Sequence, residues 1–204
     1  MKKNLLFILS MMMLLELDAQ LKGGVEQYSY FGKGTALTIE PVLHIQTAGK
    51  FYCELRYNYE EKDAISFNAG KIFLIPGKFQ TTLTPMLGIT AGSLKGYSLV
   101  LNQETEWKKF YFSSRSQYCR SFSKEYPGFF YSWLETGYNI SPVVFTGIAL
   151  QCRRQANNRE MDPGIMSGLS LKNISVSFYV FNPLCADSYF ATGLNYDCNL
   201  SKRK

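Results

Sequence analysis

The chain has 204 residues, of which 46% are hydrophobic and 15% aromatic, with a formal net charge of +6 and a single histidine. That charge is modest, and Lys202, Arg203 and Lys204 supply half of it; with no basic helix and no recognition motif, a nucleic-acid role is excluded from the expectations. After the first twenty residues no apolar run approaches the length of a membrane-crossing helix.

The N-terminus reads as an export signal. Lys2 and Lys3 precede an apolar stretch from Leu5 to Leu15, which Glu16 and Asp18 bring to an end, and Ala19 before Gln20 is the expected cleavage point. Residues 1–19 are assigned to the signal peptide, 20–198 to one domain and 199–204 to a basic tail; a retained anchor is the alternative for the first segment. No cysteine follows at lipobox spacing. Five cysteines in an exported chain leave at least one unpaired, and their spacings fit no metal or redox motif. Cys53 and Cys152 fall on apolar faces and read as small hydrophobes.

Strands are expected along the whole remaining chain. The first, 26–32, is the most weakly patterned. Over 35–47, Leu37, Ile39, Leu43 and Ile45 share one side, while Thr38, Glu40, His44 and Gln46 share the other. Over 50–60, Phe51, Cys53, Leu55, Tyr57 and Tyr59 alternate with Tyr52, Glu54, Arg56, Asn58 and Glu60. A strand over 64–75 is followed by one over 79–93, where Leu83, Leu87 and Ile89 alternate with Thr82, Thr84, Gly88 and Thr90. Further strands are placed at 96–104, 108–120, 129–140 and 143–155, the last with Val144, Ile148, Leu150 and Cys152 on one side and Gln151, Arg153 and Gln155 on the other. Strands at 164–172, 173–181 and 188–197 complete the set. Thr47–Lys50, Glu61–Asp63, Ile75–Lys78 and Ser141–Pro142 read as turns, and 121–128, 156–163 and 182–188 as longer loops. Strands in this number, joined by tight turns and with no convincing helix, point to an all-β protein: an antiparallel up-and-down barrel of about 10–12 strands, because closure removes the open edges of so large a sheet.

Alternation alone does not say which face is wet, since a soluble lipocalin-like barrel has the same period. Three features favour a transmembrane barrel. The strands match the ~9–11 residues that cross a bilayer at a tilt. Their polar faces mix charge with Gly, Ala, Ser and Thr, which suits a crowded lumen. Aromatics gather near strand ends, at Phe51, Tyr57, Tyr59, Phe129, Phe130, Tyr138, Tyr189 and Phe190, as in interfacial girdles. Phe51, Cys53, Leu55, Tyr57, Tyr59, Leu87, Ile89, Ile148 and Leu150 are therefore expected to face lipid, and Glu54, Arg56 and Asn58 the lumen.

The segments RYNYEE (56–61), TPMLGITAG (84–92), KKFYFSSRSQY (108–118), FFYSWLETGY (129–138) and YVFNP (179–183) resemble a loose group of small bacterial, Bacteroidetes-like outer-membrane β-barrels. The Leu-Asp-Ala-Gln end of the leader resembles Bacteroidetes export signals, and Gly193, Tyr196 and Cys198 resemble the C-terminal signal of outer-membrane barrels, with Cys198 in place of the usual aromatic. The resemblance implies fold and an outer-membrane location, and it carries no chemistry with it.

On the lumen side the pattern collects Glu40, His44, Glu54, Arg56, Arg115, Gln117, Glu135, Gln151 and Arg153. Acids and bases nearly balance, and an unpaired charge in a confined lumen is costly, so these residues are expected to pair across it and block it. A narrow solute path lined by the same residues is the alternative. Tyr131, Trp133 and Glu135 are also expected to point inward. An enzyme reading centres on His44: outer-membrane lipid hydrolases, which this chain resembles in class, use His-x-Ser, and residue 46 is Gln, which leaves a serine on a neighbouring strand or acid–base work by Glu40 and Glu54 without positive support. No catalytic residue, metal or cofactor is therefore assigned. The expectation is a mostly occluded barrel acting as a structural or accessory envelope component, with a narrow porin-like channel as the runner-up and a secreted binder behind it. The expected partners are outer-membrane lipids and lipopolysaccharide, the barrel-assembly machinery during insertion, and a second outer-membrane protein docked on the wall.

Overall fold

A computed structural model of the chain describes residues 21–32, 35–123 and 126–200. The signal peptide expected over 1–19 and residues 201–204 of the tail lie outside the described residues. The elements are β1 (Lys22–Gly32), β2 (Thr35–Gln46), β3 (Phe51–Tyr57), β4 (Ala64–Lys71), β5 (Phe73–Ile75), β6 (Gln80–Gly92), β7 (Gly96–Trp107), β8 (Phe110–Ser121), β9 (Phe129–Asn139), β10 (Val144–Gln155), β11 (Asn158–Leu171), β12 (Ile174–Phe181) and β13 (Tyr189–Asn199). Neighbours in the chain pair antiparallel except β4 and β5, which both pair with β6, and β1 pairs with β13. β5 continues β4 in the same register on β6, with Ala69 opposite Leu87 and Phe73 opposite Leu83. The ring is thus a closed, antiparallel, up-and-down barrel of twelve strands, and closure lets every ladder be satisfied from within the chain.

The alternating residues divide cleanly between wall and lumen. Along β6, Thr84, Met86 and Thr90 are buried inside, while Leu87 and Ile89 stand on the outer surface. Phe51, Leu55, Tyr57 and Ile148 are likewise exposed on the outer face, and Leu150 is half-buried there. A wall of large exposed apolar side chains around a polar interior inverts the usual soluble arrangement and suits hydrocarbon outside. Leu87 sits near the middle of its strand, opposite Ala69 and Leu99. In a bilayer, Leu87→Arg should cost about 2–4 kcal/mol, read as a lower urea midpoint for refolding into vesicles. An unchanged midpoint would place that face away from lipid.

Several sequence expectations are corrected. The 156–163 segment is no loop: Ala156 takes a left-handed φ of +50° in a two-residue turn, and β11 starts at Asn158. Pro163 fits inside that strand because β12 reaches only to Phe181, opposite Gly164. The Pro163 carbonyl accepts from the Asn182 N–H at 2.7 Å, and its nitrogen points the same way, past the end of β12, where no ladder bond is lost. Trp107 extends β7 beyond the expected 104, with Lys108 left-handed at the turn.

The third correction matters most. β3 ends at Tyr57 rather than 60, because Asn58 is left-handed at φ +59°. Asn tolerates that region, and its side chain closes the turn by accepting the Asp63 N–H at 2.8 Å. The alternation breaks there, so Asn58 leaves the lumen face and donates to the Ile39 carbonyl at 3.1 Å. Tyr59 turns inward instead of towards lipid, and the loop dips over the lumen at Tyr59 and Glu60. Phe129 and Tyr189 are also inside. Each adjoins a second aromatic, Phe130 or Phe190, and strand neighbours must take opposite faces.

Candidate functional site in the lumen

In the twelve-strand ring, β1 and β8 lie six places apart in either direction, so they are diametrically opposed. Arg115 on β8 nevertheless reaches Glu26 on β1, Nη2 to Oε1, at 2.7 Å. Tyr28 donates to the other oxygen of Glu26 at 3.2 Å, and His44 Nδ1 lies 3.6 Å from the first. His44 is stacked on Tyr52 at 5.8 Å, and its Nε2 faces Asp197 at 3.1 Å. Its ring lies against Gly24, where a Cβ would come within 2.6 Å of it, so only glycine leaves that seat open.

A second cluster is closer to the long loops. Arg56 on β3 is ion-paired with Glu54, donates to Gln117 on β8 at 2.8 Å and lies 3.7 Å from Glu60. Gln117 donates back to Glu60 at 3.2 Å, and Ser66 adds a bond to it at 2.8 Å. Arg56, Glu54 and Glu60 are all at most 3% exposed. The dipping loop adds Tyr59, with the Arg56 guanidinium 4.3 Å above its ring and Tyr131 edge-on at 5.8 Å.

An aromatic stack fills the other half of the section. Trp133 on β9 meets Tyr28 across the lumen at 5.0 Å and Tyr179 at 5.3 Å. Phe181 lies 5.9 Å from Trp133 and stacks on Tyr189 at 5.1 Å. Tyr179 donates to Glu135 at 2.8 Å. Such edge-to-face and stacked rings pack a section densely.

The remaining space narrows towards the Arg115–Glu26 pair. A cavity of about 280 Å³ at the long-loop end is lined by Tyr30, Glu40, Tyr59, Gln151 and Arg153, among others. Arg153 also reaches Glu61 of the dipping loop at 3.5 Å. Two cavities open at the short-turn end: one of about 490 Å³ beside Glu26, His44, Glu104 and Arg115, and one of about 400 Å³ beside Tyr28, Tyr111, Glu135 and Tyr179. Neither shares a lining residue with the long-loop cavity, but a narrower cavity of about 160 Å³ beside Glu26, Tyr59, Arg115 and Trp133 lies between them and shares residues with all three.

The nine residues collected by the sequence pattern thus divide among four places. Glu54, Arg56 and Gln117 form one cluster, and His44 and Arg115 meet at Glu26. Glu135 is held by Tyr179, while Glu40, Gln151 and Arg153 line the long-loop cavity. Glu40 and His44, two turns of the pleat apart, are not brought together. Sequence reasoning missed Glu26, Tyr28 and Glu60. Glu26 alternates with Val25 and Gln27, which is a usable signal once the strand is extended back to Lys22. Chemically, His44 sits between two carboxylates and against the Tyr52 ring, which together fix the orientation of its imidazole.

No family model matches the chain, and no curated protein matches it either. Among solved structures, it is similar to the KdgM porin, including its complex with disordered oligogalacturonate, at a TM-score of 0.58 and 12% identity over 85% of this chain and 98% of that one. The NanC porin is similar at a TM-score of 0.56 and 8% identity, over 85% of this chain and 97% of that one. At these identities the likeness is one of fold, and the fold is that of small outer-membrane β-barrel porins.

Proposed function

We propose that the protein is an integral barrel of the bacterial outer membrane whose passage is held shut at mid-height, so that it serves as a structural or accessory component of the envelope. The observation that carries this reading is the Arg115–Glu26 pair, which joins opposite walls at 2.7 Å. Balanced charges are the economical way to close a lumen, because each neutralises the other's desolvation, whereas a lining of one sign selects ions. The apolar outer face and the porin-like fold support the membrane placement. Outer-membrane lipids and lipopolysaccharide would cover that face, and the barrel-assembly machinery would insert it.

A second reading, a narrow porin-like diffusion channel, is favoured by the cavities at both ends. The two readings differ only in whether the partition opens. The test is electrical. Purified protein with heat-shifted gel mobility, reconstituted in a planar bilayer, should give no steady conductance even at high salt. Regular unitary steps from the wild-type protein would replace the first reading with the second.

A further inference from the structure

The two ends of the barrel differ in charge. At one end the connections are short: 47–50, 76–79, 108–109, 140–143 and 172–173. Four of these five turns carry lysine, at Lys50, Lys78, Lys108, Lys109 and Lys172, and none carries an acid. At the other end, acids and lysines mix, as in Glu60, Glu61, Lys62 and Asp63. The lysines of the short-turn end are densest around one aromatic ledge on the outer wall. Phe79, Trp107, Phe110 and Tyr138 follow one another along the rim, with ring centroids 5.7, 6.0 and 5.0 Å apart. The ammonium groups of Lys78 and Lys108 lie 5.5 and 5.3 Å from the Trp107 ring, and that of Lys109 lies 5.7 Å from Tyr138. The acids of β7, Glu104 and Glu106, face the short-turn cavities on the lumen side and leave the outer rim positive.

We propose that this ledge is a binding site for an anionic glycerophospholipid, with the phosphate among Lys78, Lys108 and Lys109 and the glycerol and upper acyl chain against Trp107 and Phe110. The inference deepens the membrane placement proposed above and rests on it. The physical case has three parts. Aromatic rings with a polar edge settle at the boundary between headgroup and hydrocarbon, which fixes the height of the ledge. Cation–π contacts hold the three ammonium groups at that height, so little ordering is left for the lipid to impose. Short turns mark the periplasmic end of such barrels, where the facing leaflet is phospholipid. Each lysine near an anionic surface strengthens binding by about fivefold.

The chain has two tryptophans, and Trp133 is buried in the lumen, so lipid-borne quenchers report on Trp107 alone. The experiment is fluorescence of the full chain reconstituted in vesicles that mix phosphatidylcholine with phosphatidylglycerol, either one brominated on its acyl chains. Brominated phosphatidylglycerol should quench Trp107 at a mole fraction at least fivefold lower than brominated phosphatidylcholine. The preference should collapse in Lys78→Gln/Lys108→Gln/Lys109→Gln, which keeps the heat-shifted mobility of a folded barrel. It should persist in Lys62→Gln/Lys95→Gln, at the opposite end. Equal quenching by the two lipids, or a preference that survives the triple substitution, overturns the phospholipid site while leaving the membrane placement intact. Quenching by neither lipid overturns both.

Discussion

Arg56→Ala should destabilise the folded barrel by about 3–5 kcal/mol. Arg56 is 1% exposed and stands between Glu54 and Glu60, themselves 1% and 3% exposed. Deleting the guanidinium removes the ion pair with Glu54 and the bond to Gln117, but the larger part of the cost is the two carboxylates left behind without water or a cation. That origin can be tested separately from the loss of packing. Arg56→Met/Glu54→Gln/Glu60→Gln removes the charges together, and it should recover most of the loss seen for Arg56→Ala. Urea unfolding in vesicles measures both. A loss below about 1 kcal/mol for the single variant, or a triple variant no better than it, would mean that the cluster is hydrated and neither pairs nor blocks as described.

The second large effect is on permeation. Arg115→Ala should turn a silent barrel into a conducting one, because no other side chain of β8 bridges to β1 by an ion pair. The change would join the long-loop cavity of about 280 Å³ to the short-turn cavity of about 490 Å³. Stability should fall as well, since Glu26 then keeps only Tyr28 and His44 as partners. Arg115→Ala/Glu26→Ala should conduct at least as well at a smaller loss of stability. Single-channel recording separates the outcomes: steps in both variants and none in the wild type support a partition made by this pair. Silence in all three would move the block to the Tyr28–Trp133 stack, where Trp133→Ala becomes the opening variant.

Most of the wall was legible in the chain, because alternation is a local property. Phe51, Leu55 and Leu87 could be assigned from their neighbours alone, and the strand periods follow directly. What failed was phase. A single left-handed residue, Asn58, breaks the alternation before the next strand, taking itself off the lumen face and bringing Tyr59 into the lumen beside Glu60. Nothing in RYNYEE distinguishes a strand that continues from one that turns, because Asn is acceptable in both. The ends of strands were blurred for a different reason: Asn158–Asp162 is polar and acid-rich, yet it pairs on one edge only and lines an aqueous mouth, so it obeys no hydrophobic pattern. The candidate site was harder still. The residues at the lumen face could be collected, but not their partners, since Arg115 and Glu26 stand 89 residues apart and are opposed only by the circumference of the ring. Charge balance predicted that pairs would exist, and closure decided which.

The seam between β1 and β13, paired from Lys22 with Asn199 to Gly32 with Tyr189, has a further consequence in time. Until it shuts, β1 has only β2 beside it, and Glu26 remains in water facing no opposite wall. The same holds for Trp133 and Tyr28. The interactions that cross the lumen therefore form after most of the wall has been laid down, and their dehydration falls on a late step of assembly. Late contacts of this kind govern how fast a structure comes apart rather than how fast it forms. The lumen side chains of this barrel act as a latch on a finished object, and the persistence of the protein in its envelope depends on them more than its birth does.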